Sequence, residues 1–522
     1  MKTTAYENVA LVGFATTLMA IQFIFFHGGY FGYDEIWYGK IAVSIIEGQF
    51  THFHLYAFRY ATFLPLTAIY SIFGINDFSN FFFNVAFHWV TLYIVLQFLK
   101  KYDVWTKFVA VLFYSCMPII TLYLEKPMPD VVVMTGFTMM VYGYYLVDFK
   151  IHTSRITHII WFITGAILVF LAKETFLIFY PIFIVLLAKD AIQRKNKYFW
   201  IRTVTTILIF GILYALANYF YFGDPLIRVK TIFAFTYVHD CSYDVQPMSI
   251  LLRRITTDLW LSFIRNVILL PVIFLPLLWH NPKDRIFLFL FKLWLSCMIL
   301  ANFMTISYSS YVPLCPDPRH FMFAFPIGSI VFAIGFNNLQ KNIKSAVFAF
   351  VVLLLMLWIA VVNQHENTWY LYVPLILGIV SMYFSHRRLA ITMFSLGLIS
   401  MYVVHLLYNK KVNYHDQKKL TTYVLDHAKE KSIVVTDGAN ATISTYIAQF
   451  DTSFVRFVDF KEFDTISVER YQGKYLIMNG MTRYLSNLDW EDLPEYAKTA
   501  HEKLEKIYSN DSGDVYILSA QK

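Results

Sequence analysis

Thirteen apolar stretches, each close to the length a bilayer demands, divide the first 408 residues of this chain. A spanning helix needs roughly 17 to 25 mainly apolar residues. It must also be a helix, because hydrocarbon offers no water to satisfy backbone amides and carbonyls. The stretches run over 8–27, 82–99, 108–123, 131–148, 156–172, 175–188, 203–222, 261–279, 286–306, 321–338, 345–363, 369–385 and 389–408. Charged residues are only 15% of the 522 and hydrophobic ones 58%, against about 25% charged in ordinary soluble domains. The expectation is a polytopic α-helical membrane protein of about thirteen spans over residues 1–408, followed by a unit of different character.

Lysine and arginine fall into alternate connections. With Met1 on the cytoplasmic side, the inner loops carry Lys100, Lys101 and Lys107; Lys150 and Arg155; Lys189, Arg194, Lys195, Lys197 and Arg202; Lys283 and Arg285; Lys341 and Lys344; Arg387 and Arg388. Short cytoplasmic loops retain such cations, so 28–81, 221–260, 307–320 and the tail after Tyr408 are expected outside. The net charge of +8 then records orientation in the membrane, and a nucleic-acid partner is set aside. No small-residue cleavage site follows the first stretch, which is expected to remain as an anchor. Cys116 and Cys297 fall within spans, as small apolar residues. Cys241 and Cys315 fall in outer loops, where an oxidising compartment would permit a disulfide.

The tail, 409–522, turns polar and charge-rich. It is expected to be a small extracytoplasmic α/β domain, with helices at Asp416–Lys429 and Leu493–Lys506 and strands at Ser432–Thr436, Val455–Phe460 and Tyr475–Met478. Thr436-Asp437-Gly438-Ala439-Asn440 lacks the further glycines of a dinucleotide fingerprint and reads as an ordinary strand-to-helix turn. Two sequons, Asn440-Ala441-Thr442 and Asn510-Asp511-Ser512, do not by themselves indicate an endoplasmic-reticulum setting; a bacterial inner membrane with the tail in the periplasm is expected.

Charge on the outer face is where function is expected. A charged acid near hydrocarbon costs several kcal/mol unless it meets water, a cation or a substrate, and Asp34-Glu35 follow directly on the first span. Their loop, 28–81, is too long for a simple connector, suggests helices lying along the interface, and also holds His52, His54 and Arg59. The turn Tyr123–Asp130 breaks at its prolines, leaving Asp130 suited to cap the next helix. Lys173-Glu174 and Arg319-His320 occupy two further outer connections. Acids and bases converging on one face suit a phosphate ligand, a cation, or both; the plain alternative makes each a solvated helix end. His52 and His54 are spaced as metal ligands can be, though interfacial loop histidines are more often amphipathic filler.

Asp34-Glu35 after the first helix, Arg59-Tyr60, Pro65-Leu66, Phe73-Gly74, Pro129-Asp130, Leu171-Ala172-Lys173-Glu174, and Arg319-His320-Phe321 leading to Pro326 together resemble the C-type (GT-C) membrane glycosyltransferases. The nearest groups are the protein mannosyltransferases and the aminoarabinose transferases of lipid A. The resemblance spans roughly residues 1–410 and implies transfer of a hexosyl or pentosyl group from a polyprenyl-phosphate donor to a hydroxyl of a lipid, glycan or protein, outside the membrane and with inversion. It implies Asp34 as the base, Asp130 as the second acid, and Glu35 as a supporting neighbour. Lys173, Arg59 and Arg319 would neutralise the donor phosphate; His320 stands where many relatives carry tyrosine. A divalent cation (Mg, Mn or Zn) at Asp34 and Asp130 is a further expectation, since the superfamily varies in metal dependence. The competing readings are a secondary transporter and a non-catalytic polysaccharide-assembly protein. Transporters, however, place ionisable groups at the midplane of broken helices and show internal repeats, whereas these charges gather at helix ends.

Overall fold

In a computed structural model of the chain, the residues described are 2–50, 55–151, 155–234, 243–280, 284–305, 311–339, 342–363, 369–384, 386–463, 471–480, 482–483 and 493–518. His52, His54 and Cys241 lie outside this set. Cys116 and Cys297 are free and buried, and Cys315 is disulfide-bonded.

The first half is built from α1 (Lys2–Phe25), α2 (Asp34–Ile46), α3 (Tyr60–Phe73), α4 (Asp77–Phe98), α5 (Val104–Cys116), α6 (Pro118–Leu122), α7 (Pro129–Asp148), α8 (Arg155–Ala172), α9 (Tyr180–Ile192) and α10 (Lys197–Phe222). The second half contains α11 (Ile227–Ala234), α12 (Met248–Arg253), α13 (Leu259–Arg265), α14 (Leu277–His280), α15 (Arg285–Phe303), α16 (Ala324–Leu339), α17 (Ile343–Val362), α18 (Trp369–Tyr383) and α19 (Arg387–Val412). Among the described residues, seven helical runs are long and apolar enough to cross a membrane. Their burial differs sharply: 94% of the apolar window of α7 is inside the protein, against 17% for α10. The first is a central helix and the second lies at the periphery of the bundle. Against α8, α7 packs backbone to backbone, since a methyl group added to Gly165 would overlap the Gly136 carbonyl oxygen. Small residues permit that approach where lipid and protein are equally apolar.

Two expectations about these helices need correcting. The stretch 261–279 is not one continuous helix: α13 stops at Arg265, Val267 takes a left-handed φ of 63°, and a 3-10 turn over Leu270–Phe274 precedes α14. Pro271 and Pro276 remove the amides that a continuous helix would need. Nor does Asp130 cap α7. Met128 holds the cap position and Pro129 opens the first turn, where its missing amide costs nothing, so the Asp130 side chain is directed elsewhere.

After the helical bundle, α20 (Tyr414–His427) and α21 (Gly438–Ile447) pack on a five-stranded sheet of β1 (Ser432–Thr436), β2 (Val455–Asp459), β3 (Gly473–Asn479), β4 (Glu505–Asn510) and β5 (Gly513–Ile517). The strand order is β2-β1-β3-β5-β4, with β1 parallel to β2 and β3 and the remaining pairs antiparallel. Consecutive residues of β1 feed opposite cores, Ile433 and Val435 on one side and Val434 on the other, as the period of two requires. Asp437 caps α21 by accepting from the Asn440 amide at 2.9 Å, which makes the Asp437-Gly438 turn structural. The expected helix over 493–506 is two short turns followed by β4.

A polar seam joins this domain to the loop between α1 and α4. Asp77 accepts from Tyr30 at 3.0 Å, Tyr414 at 3.2 Å, Tyr446 at 3.3 Å and Lys418 at 2.6 Å. Gly32, at φ +81°, lies so close to Ala439 of α21 that any β-carbon there would overlap its backbone.

Candidate active site

Three ion pairs between separate segments assemble at the end of the bundle that the loop containing α2 and α3 covers. Asp34, the first residue of α2, accepts a 2.6 Å hydrogen bond from the Tyr56 hydroxyl on one carboxylate oxygen and meets Arg319 Nη1 at 3.3 Å with the other. Arg319 lies in a 3-10 turn, Pro318–Phe321. Asp317 accepts from the Arg319 amide at 3.0 Å to start that turn and places a carboxylate oxygen 3.0 Å from its Nε.

The second pair is Asp130 with Lys173, at 2.8 Å. Lys173 also donates to His320 Nδ1 at 3.0 Å. An ammonium has no acceptor, so Nδ1 must accept and the ring proton resides on Nε2. His320 Nδ1 is 3.7 Å from Asp130, too far for a hydrogen bond. Burial, with the Lys173 charge adding to it, draws His320 below the usual histidine range and leaves it neutral. Burial also lowers the Lys173 ammonium, while Asp130 opposes the shift.

The third pair is Arg59 with Glu174, at 2.9 Å. The same guanidinium hydrogen-bonds the Tyr38 hydroxyl and lies 4.9 Å from the Tyr56 ring. Tyr56 therefore touches both this pair and Asp34, and the adjacent Arg319 and His320 tie the first pair to the second. Burial would raise Glu174, but Arg59 and then Arg228 hold its carboxyl below the ordinary range.

Exposure separates these groups. The Asp34 side chain retains 24% of its surface and Arg319 25%, against 6% for Asp130, 6% for Arg59 and 3% for Glu174. Glu35 is placed apart from the cluster's ion pairs: at 1% exposure it accepts from the amides of Phe31 at 2.5 Å and Gly32 at 2.8 Å. It closes the turn entering α2, and burial pushes its carboxyl above the usual range despite those amides. Glu125 and Lys126 lie close to this turn. Glu125 accepts from the Gly28 amide at 2.8 Å and is raised by burial to about 7, while the Lys126 ammonium sits 4.6 Å over the Phe31 ring.

Asp34 and Asp130 each already have a cation, Arg319 and Lys173 respectively. Among the described residues no group of three or more His, Cys, Asp or Glu side chains converges as a metal site. Asp34 and Asp130 alone do not supply the roughly six or more oxygen ligands of a hard divalent ion, and no step below passes through one.

Tyr56, Tyr38 and Asp317 were not singled out by the sequence. Asp317, two residues before Arg319 and followed by proline, carried the one available signal, an acid placed to cap a turn.

The chain has a fold already seen in a membrane-embedded glycosyltransferase of the C type. The match is to ArnT from Cupriavidus metallidurans. Its structure bound to undecaprenyl phosphate aligns at 12% identity over 98% of this chain and 98% of that one, with a TM-score of 0.57; its apo structure aligns at 13% identity over 99% and 98%, with a TM-score of 0.56. At that identity the likeness establishes the fold. No family model and no curated protein matches the sequence.

Proposed function

We propose that the chain is an integral membrane glycosyltransferase that moves a sugar from a polyprenyl-phosphate donor to an acceptor hydroxyl on the outer face, with inversion. One observation carries this reading: of the three ion pairs that join separate segments, Asp34–Arg319 is the most open to solvent, and it sets a carboxylate beside a guanidinium at the membrane end where donor and acceptor would meet. The solved ArnT structure with undecaprenyl phosphate supports a donor of that class.

In the proposed step, the acceptor oxygen attacks the anomeric carbon, its proton passes to Asp34, and the carbon–oxygen bond to the lipid phosphate breaks. The phosphate departs as an anion and needs cations rather than an acid. Arg319 supplies the first. At 3.3 Å its bond to Asp34 is longer than the roughly 2.7–2.9 Å of a strong charge-assisted bond, so a donor phosphate can draw Arg319 away and release the base. Lys173 supplies the second, with His320 and Asp130 fixing the ammonium's direction. Arg59 acts behind them through Tyr56.

Thirteen crossings, a periplasmic tail and a bacterial inner membrane complete the proposal. The deciding experiment measures sugar transfer from a synthetic undecaprenyl-phosphate donor by reconstituted wild type and Asp34→Asn. Undiminished transfer by a folded Asp34→Asn protein would remove the proposed base.

A further inference from the structure

A groove of about 760 Å³ opens between α9 and α15, with the end of α7 at its rim. It lies at the opposite end of the bundle from the three ion pairs. Lys189 closes α9, Arg285 opens α15, and Asp148-Phe149 ends α7; all three termini belong to the loops that the distribution of cations assigns to the cytoplasm. Three cations line the groove, Lys189, Arg285 and Lys292, against one carboxylate, Asp148. None of the three cations has an ion-pair partner among the described residues, and Arg285 has only the Phe149 ring, at 5.7 Å.

The neighbouring acids are engaged otherwise. Asp284 accepts from Tyr102 at 3.1 Å and Asn338 at 3.1 Å, and Asp190 accepts from Trp200 and Asn196, both at 2.9 Å. Those neutral donors pin helix ends together. Neither acid lines the groove.

Lys292 is the telling residue. It lies seven residues along α15 from Arg285, on the same helix face, about 10 Å deeper at 1.5 Å per residue. A lysine two turns inside an apolar span is costly, and such residues mark a ligand or a partner. Its stem can carry the ammonium back toward the interface, below a headgroup that Lys189 and Arg285 would flank. Beyond it the walls are apolar: Ile182, Val185 and Leu186 of α9 face Leu293, Ile299 and Leu300 of α15. A free cytoplasmic anion has no use for that wall, and an uncharged lipid tail has no use for three cations.

We propose that this groove binds an anionic phospholipid of the cytoplasmic leaflet, its phosphate held by Lys189, Arg285 and Lys292 and one acyl chain lying between α9 and α15. Basic pockets between spanning helices on that side of a membrane bind anionic headgroups, and each cation near the surface is worth about 1 kcal/mol, or about fivefold. The site is independent of the proposed transfer reaction.

The test is native mass spectrometry of the full chain in detergent with equimolar phosphatidylglycerol and phosphatidylcholine. Wild type should retain phosphatidylglycerol at least about fivefold over phosphatidylcholine, and Lys292→Met and Arg285→Gln should each reduce that preference about fivefold. Leu186→Trp, which fills the apolar wall, should lower retention of both lipids. Lys292→Met makes a span more apolar and does not threaten insertion; Arg285→Glu provides a second reading by abolishing the preference. Equal retention of the two lipids by wild type would overturn the proposal, as would a preference unchanged in both cation variants. Displacement by undecaprenyl phosphate at concentrations below those of phosphatidylglycerol would also overturn it, by assigning the groove to the carrier lipid.

Discussion

Asp34 and Asp130 are both carboxylates paired with a cation at the same end of the bundle, yet one pair is a quarter exposed and the other is nearly sealed. A sealed pair holds its partner because separation would leave an uncompensated buried charge, a loss of roughly 3–5 kcal/mol. A more open pair at 3.3 Å can exchange its partner for a substrate group at lower cost, since water and the substrate compensate the separated charges. The two acids thus divide between them the tasks of reacting and of holding the site in shape.

The sharpest attempt to break this division is Asp34→Asn, expected to lower kcat about 10³-fold with little change in thermal midpoint. Asp130→Asn should show the reverse emphasis, destabilising the protein by about 3 kcal/mol through the stranded Lys173, with Asp130→Leu/Lys173→Leu recovering much of it. Detergent unfolding curves measure this, and a stable Asp130→Asn protein devoid of transfer would exchange the roles of the two acids. Tyr56→Phe removes a 2.6 Å hydrogen bond from Asp34 and should reduce kcat about tenfold, a charge-assisted bond being worth about 1.5–3 kcal/mol.

Smaller effects sharpen the comparison by testing what lies beside it. Glu35 has its folded-state pKa raised by burial, so the fold favours its protonated form. Its contribution is present below about pH 4.3, the unfolded value, and is lost as pH rises through the folded value. Glu35→Gln should therefore gain about 3 °C over wild type at pH 8 and nothing at pH 4. Chelation by EDTA is expected to leave transfer unchanged; loss of activity restored by Mg, Mn or Zn would return a divalent ion to Asp34 and Asp130.

The spans were legible because exclusion of water writes itself into composition, one residue at a time. What was not legible depended on partners distant in sequence. Arg319 meets Asp34 across 285 positions, and a pattern read along the chain can place both outside the membrane without bringing them together. Stretch 261–279 has the composition of a single helix, but Pro271 and Pro276 interrupt it. The helix expected over 493–506 ends in β4 because pairing with β5 supplies what local propensity does not. Glu35 is adjacent to Asp34 in sequence, and only the fold shows that its carboxylate binds amides.

The Asp77 seam has a consequence for the order of assembly. Tyr30 belongs to the segment that leads into α2, and the carboxylate it shares is completed by Tyr414, Lys418 and Tyr446, which the ribosome makes only after α19. The entry to α2 is translated early and must then wait, unfinished, until the α/β domain has emerged and folded against it. A chain cut short after its last span would insert and look whole to a membrane, but it would hold Asp34 on an unfastened loop.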